Sequence, residues 1–146
     1  MTEVNHAMVI KAPRETVFAY IDNYENVPDY MFGVSRFAPT TDVDHGLGSV
    51  FETVIKVGPK ELKSTVKCVE WVENEKIRLE SVSGMGANTS WLFADGDEAG
   101  TTVLTAEFDF KLPGGITGKV LGGIIGPFTD QAVRYTESKT RAACEG

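Results

Sequence analysis

Between residues 49 and 112 the chain is a succession of short alternating runs, SVFETVIKV, LKSTVKCVEWV, IRLESVS, TSWLFAD and TTVLTAEFDFKL, with GPKE, NEK, GMGAN and GDEAG as the turn segments between them. Side chains alternate across a strand, so Leu104, Ala106, Phe108 and Phe110 share one face of the last run. Thr105, Glu107, Asp109 and Lys111 share the other. One apolar and one polar face is the pattern of an antiparallel sheet, and the lack of βαβ alternation argues against a parallel one.

The same phase puts Phe51, Thr53, Ile55 and Val57 together, Ile77 with Leu79, and Trp91 with Phe93. The run from 62 to 72 breaks the rule. Leu62, Val66 and Cys68 continue in phase to Glu70, while Val69 and Trp71 fall opposite, and a bulge near 69 to 70 would repair this. An earlier run, VSRFAPTTD, followed by DHGLG, reads as a further strand and turn.

Ahead of these, EVNHAMVIK reads as a first strand and APRETVFAYID as a helix that buries Val17, Phe18 and Ile21. NYENVPDYMF has turn chemistry but also Tyr24, Val27, Tyr30, Met31 and Phe32, which predicts a second short helix tucked against the body. At the other end, Gly126-Pro127 is expected to break the preceding segment and restart a helix over FTDQAVRYTESKTRAACE. A curved sheet must cover its apolar face, and that last helix is the long element left to do so.

A length of 146 residues suits one domain over 1–146, and 42% hydrophobic residues suffice for a core without a metal or disulfide. The net charge of -7, with scattered Lys and Arg, argues against a nucleic-acid partner and against electrostatic attachment to anionic lipid. Two cysteines without a CxxC, and no signal peptide, point to a reducing cytoplasm. The apolar stretch from Leu112 to Phe128 is interrupted by Lys119 and Pro127 and is too short to span a membrane.

Catalytic motifs are wanting. GITGKV lacks the first glycine and the Ser or Thr of a phosphate loop, GMGANT has Thr89 where a dinucleotide fingerprint needs its third glycine, and neither GxSxG nor HExxH occurs. His6 and His45 have no reason to meet, so no metal or other cofactor is expected. Glu107 and Asp109 share a face, but it is the face opposite Phe108, and a solvated outer surface is the expected place for both. Trp71 and Trp91 read as packing or rim residues, and Cys68 as a small buried hydrophobe.

The opening VIKAPRETVFAYIDNYENVPDYM, together with GLGSVFET and AGTTVLTAEFDF, resembles the START-like, SRPBCC superfamily, most closely its polyketide cyclase/dehydrase and coenzyme Q-binding branches. The likeness spans nearly the whole chain. It implies an α+β helix-grip fold: a curved seven-stranded antiparallel sheet wrapped around a long C-terminal helix, with two short helices after the first strand. It also implies a cavity for a hydrophobic molecule such as a lipid, an isoprenoid quinone or a polyketide-like compound.

The walls of that cavity would be the inward residues Phe51, Thr53, Ile55, Val66 and Leu79, then Trp91, Phe93, Phe108 and Phe110, with Tyr30 and, from the C-terminal segment, Val120, Ile124, Phe128 and Tyr135. Polar candidates are Tyr30, Thr53, Ser64, Ser81 and Tyr135, joined by Arg36 or Glu70 if the bulge lies differently. Binding without chemistry is the favoured reading. The alternatives are a cyclase or dehydrase, in which Tyr30 or Tyr135 would donate a proton, and an accessory interaction protein.

Residues 114–128, GGITGKVLGGIIGPF, hold the remaining open question. Gly114, Gly118, Gly122 and Gly126 recur every four residues and would form a bare stripe on a helix, each interior glycine costing about 0.5 to 1 kcal/mol relative to alanine. The segment reads as a packing device, as a gate at the cavity mouth, or as a surface for transient membrane or partner contact. The sequence leaves the oligomeric state open.

Overall fold

A computed structural model describes residues 2–57, 59–84, 86–111 and 118–145, with side chains described for all of these except 2, 110–111 and 118–128. Strand β1 (Thr2–Ile10) leads to helix α1 (Arg14–Asp22), a 3-10 turn (Tyr24–Asn26) and helix α2 (Val27–Tyr30). Six strands follow: β2 (Val34–Pro39), β3 (Val50–Val57), β4 (Lys60–Val72), β5 (Lys76–Gly84), β6 (Gly86–Asp95) and β7 (Thr102–Lys111). Helix α3 (Gly118–Glu145) closes the chain.

The strands form one antiparallel sheet in the order β1-β7-β6-β5-β4-β3-β2. Only β1 departs from sequence order, pairing with β7 over Thr2↔Phe110 to Ile10↔Thr102. Consequently α1 and α2 must carry the chain across the sheet from one edge to the other, and both pack under α3. This is the helix-grip arrangement.

Burial follows the alternation. Phe51, Thr53 and Val57 of β3 are buried while Glu52 and Lys56 are exposed, and Leu104 and Ala106 of β7 are buried beside exposed Glu107. On β4 the register shifts between Cys68 and Glu70, so Val69 is an extra residue and Cys68 and Trp71 both join the core. The local right-handed twist that such a bulge adds helps curl the sheet. A second shift, between Thr65 and Val66, leaves Val82 of β5 unpaired and exposed.

Among the described residues, strands β5 and β6 pair from Lys76↔Leu92 to Leu79↔Thr89 and no further. Beyond that point β5 continues with β4 as far as Ser64↔Gly84, and β6 with β7 as far as Gly86↔Lys111. The sheet is therefore parted in its middle at one end.

One expectation fails in α3. The helix does not restart at Gly126-Pro127 but runs unbroken from Gly118, carrying Gly122, Gly123, Gly126 and Pro127 inside it. Proline removes one backbone donor and costs about 3 kcal/mol in a helix interior, and the helix persists because tertiary packing outweighs local propensity. That packing is visible further along. Thr136 Oγ1 donates to the Tyr30 carbonyl at 2.7 Å, Glu137 bonds His6 Nε2 at 2.9 Å, and Arg141 Nε donates to the Val9 carbonyl at 3.2 Å. The gate, packing and contact readings of 114–128 concern side chains outside the described residues.

Candidate functional site

The inner face of the sheet and the underside of α3 enclose a cavity of about 110 Å³. Ile55, Leu62, Ala87 and Phe108 line it from the sheet, Met31 from the α2–β2 turn, and Ala132 and Val133 from α3. Thr129, Ala132, Val133 and Thr136 of α3 fall at i, i+3, i+4 and i+7, one helical face turned to this space. A second, deeper cavity of about 50 Å³ is bounded by Tyr30, Phe37, Thr53, Val66, Leu79 and Trp91. Met31, Val34, Ile55, Ala87 and Thr89 border both, so the two are adjoining lobes of one space. An apolar cavity of about 150 Å³ is enough to bind benzene.

Where β5 and β6 part, a polar bridge ties the strands on the face away from the cavity. Asn88 Nδ2 donates to Asp109 Oδ1 at 2.8 Å, and Asn88 Oδ1 accepts from the Ser81 backbone N–H at 3.0 Å. The carboxamide thus spans the gap that the β5–β6 ladder leaves open. Asp109 stands opposite Asn88 and the exposed Glu3 in the neighbouring strands, so its side chain takes the sheet face away from the cavity that Phe108 lines. Glu107, one pair further into the ladder, is exposed as expected.

Tyr30 is only 2% exposed; its ring lines the inner lobe and its hydroxyl donates to the Ile21 carbonyl at 2.8 Å. Burial, then the neighbouring Tyr20 and Asp22, push its phenol far above the ordinary value. A proton held this tightly and already engaged is poorly suited to transfer. Tyr135 lies outside both lobes, edge-on to Phe32 with ring centroids 5.5 Å apart and with Lys139 over its ring. The two tyrosines do not converge on one reacting position.

Of the other expected wall residues, Ile55 borders both lobes, Phe108 the outer, and Thr53, Val66, Leu79 and Trp91 the inner. Phe51 stacks on Phe37 at 4.6 Å and borders a small void of about 30 Å³ beside Ser49 and Cys68. Phe93 packs against Phe18 at 5.1 Å, in the solid core beneath α1. The side chains of Phe110, Val120, Ile124 and Phe128 lie outside the described residues. Ser64 and Ser81 bond each other at 3.4 Å, Glu70 pairs with Lys76 at 2.9 Å, and Arg36 is exposed on β2.

Ala87 and Thr89 were missed, although they stand in phase with Trp91 and Phe93 and the alternation could have found them. A groove of about 350 Å³ past Arg36, Glu52 and Lys63 is an open surface of exposed, mixed charge. Among the described residues no group of three His, Cys, Asp or Glu side chains gathers to hold a metal.

Next to the small void, Asp22 accepts from Trp71 Nε1 at 2.9 Å and faces His45 Nδ1 at 3.5 Å. Cys68, 1% exposed, directs its thiol to the Glu70 carbonyl at 3.3 Å. Burial, with Asp22 adding, pushes that thiol up to about 11 from an ordinary 9.0. Being raised in the folded state, it contributes stability in full below pH 9 and loses it as pH climbs towards 11. The expected loss across that window is roughly 2 to 3 kcal/mol. Urea denaturation at pH 8 and pH 11 should show a smaller drop in Cys68→Ala than in the parent; equal drops would mean the thiol is not the source.

The sequence profile of the family described as polyketide cyclase / dehydrase and lipid transport matches residues 1–145. The chain belongs to this family. Solved structures similar to this family member include a protein from Thermus thermophilus, with TM-score 0.79 at 19% identity over 97% of this chain and 96% of that one. A START superfamily protein from Mycobacterium smegmatis superposes with TM-score 0.74 at 12% identity, covering 96% and 97%. An aromatase/cyclase from a Streptomyces species gives TM-score 0.68 at 14% identity, covering 95% and 93%. At these identities the likeness is one of fold, and this cyclase/dehydrase and lipid-transport family member has the START-like fold. No curated protein matches it by sequence. None of its helices, among the described residues, is long and apolar enough to cross a membrane.

Proposed function

We propose that the protein binds a hydrophobic small molecule, of lipid, isoprenoid-quinone or polyketide-like character, in the two-lobed space between sheet and α3. The observation that carries this reading is the space itself: its walls are almost wholly carbon, from Ile55, Ala87 and Phe108 to Trp91, in a region where a well-packed core would be filled. Membership of a cyclase/dehydrase and lipid-transport family supports the ligand class. A cytoplasmic setting is part of the proposal, supported by the unpaired Cys68 and Cys144.

Catalysis of the cyclase or dehydrase kind is the alternative, and the engaged hydroxyl of Tyr30 and the remote Tyr135 weigh against it. Native mass spectrometry of protein gently purified from its own host, followed by extraction, tests the binding reading. A retained lipid, quinone or polyketide is the expected result. Empty protein that also fails to take up representatives of all three classes would overturn it.

A further inference from the structure

Among the described residues, two hydroxyls on the cavity wall have no hydrogen-bond partner, those of Thr53 and Thr89. The ladder Phe37↔Thr53↔Ser64 puts the Thr53 side chain on the covered face of the sheet, and Leu79↔Thr89↔Phe108 does the same for Thr89. Both border the inner lobe, Thr89 at its junction with the outer one, and Thr53 is only 5% exposed. Their polar neighbours are engaged elsewhere. Tyr30 donates its hydroxyl to the Ile21 carbonyl, and Thr136 donates to the Tyr30 carbonyl. A buried hydroxyl without a partner is costly, and a ligand oxygen placed beside it recovers that cost.

From this placement we infer that the inner lobe is a subsite for a neutral oxygen, a ketone, quinone carbonyl or alcohol carried on a hydrophobic molecule, and that Thr53 and Thr89 are the residues that select it. A threonine hydroxyl donates to a carbonyl, and both donates to and accepts from an alcohol. At about 50 Å³ the inner lobe takes the compact oxygen-bearing end, and the outer lobe of about 110 Å³ takes the apolar remainder. A hydrocarbon of the same shape fits but leaves both hydroxyls unmet, and a site built to hydrogen-bond its ligand discriminates against such an analogue. A carboxylate is rejected for another reason. No Lys, Arg or His stands among the described lining of either lobe, so an anion would lose its water with no cation to offset its charge.

The inference rests on the binding reading above, and three probes of nearly one shape separate the two: ethylbenzene, acetophenone and benzoate. Each is titrated at pH 8 into the full chain and into Thr53→Val/Thr89→Val, with affinity read from amide NMR shifts. Valine keeps the side-chain shape and removes only the hydroxyl, so circular dichroism and the urea midpoint should match the parent. Acetophenone is expected to lose roughly tenfold in affinity in the variant, one modest hydrogen bond per hydroxyl, while ethylbenzene changes by less than about twofold. Benzoate is expected to bind the parent at least roughly tenfold more weakly than acetophenone. Acetophenone affinity that the variant leaves unchanged, a parallel loss for ethylbenzene, or benzoate binding as tightly as acetophenone would overturn the inference and leave hydrophobic binding standing. Failure of all three probes, repeated with 2-alkanones of six to twelve carbons, would overturn the two together.

Discussion

Trp91→Ala is expected to destabilise the protein by about 3 to 5 kcal/mol, the cost of emptying a buried aromatic site. Trp91 is 2% exposed and meets both Tyr30 and Phe108 edge-on, each with ring centroids 5.5 Å apart. It sits on β6 between β5 and β7, opposite Ile77 and Ala106, so its loss touches the centre of the sheet and the anchor of α2 together. Because the ring also walls the inner lobe, truncation enlarges an existing void instead of letting the core collapse around it. Urea denaturation measures the change directly. A loss below about 1 kcal/mol would show that the ring contributes little beyond its area, contrary to its edge-on contacts.

A second substitution separates binding from folding. Ala87 of β6 borders both lobes, and a phenyl ring there would project into the space they share. Ala87→Phe is expected to weaken binding of any hydrophobic ligand that spans the lobes by roughly 100-fold, equivalent to about 3 kcal/mol. Aromatic side chains suit strands, and the ring would enter unfilled space, so the stability change should stay within about 1 kcal/mol. Octanol titration beside a denaturation curve is the measurement. Undiminished affinity in a variant of parental stability would place the ligand elsewhere.

Placement of the wall residues divides into three cases. Ile55, Phe108 and Trp91 were readable because strict alternation assigns them to the covered face, and all three border the cavity. Phe51 and Phe93 obey the same rule yet line neither lobe; Phe37 covers one and Phe18 the other. Alternation reports which face a side chain takes, and only the neighbouring elements decide whether that face is packed or hollow. Ala87 and Thr89 show the converse, since small and hydroxyl residues carry little weight in a hydrophobic pattern yet are the ones that leave room.

The sequence by itself determined the sheet, the phase of its strands, the bulge that sends Cys68 and Trp71 to the same core, and the need for a covering helix. Each follows from local chemistry: alternation, turn residues and the cost of leaving an apolar face wet. Only the tertiary structure decided that α3 runs through Gly126-Pro127, because packing at its far end is not encoded in local propensity. It alone also decided that Tyr30 turns its hydroxyl to Ile21 and that Asn88 bridges Asp109 and the Ser81 N–H. Those outcomes depend on where β5 and β6 part and where α2 docks, distances that arise between elements far apart in the chain.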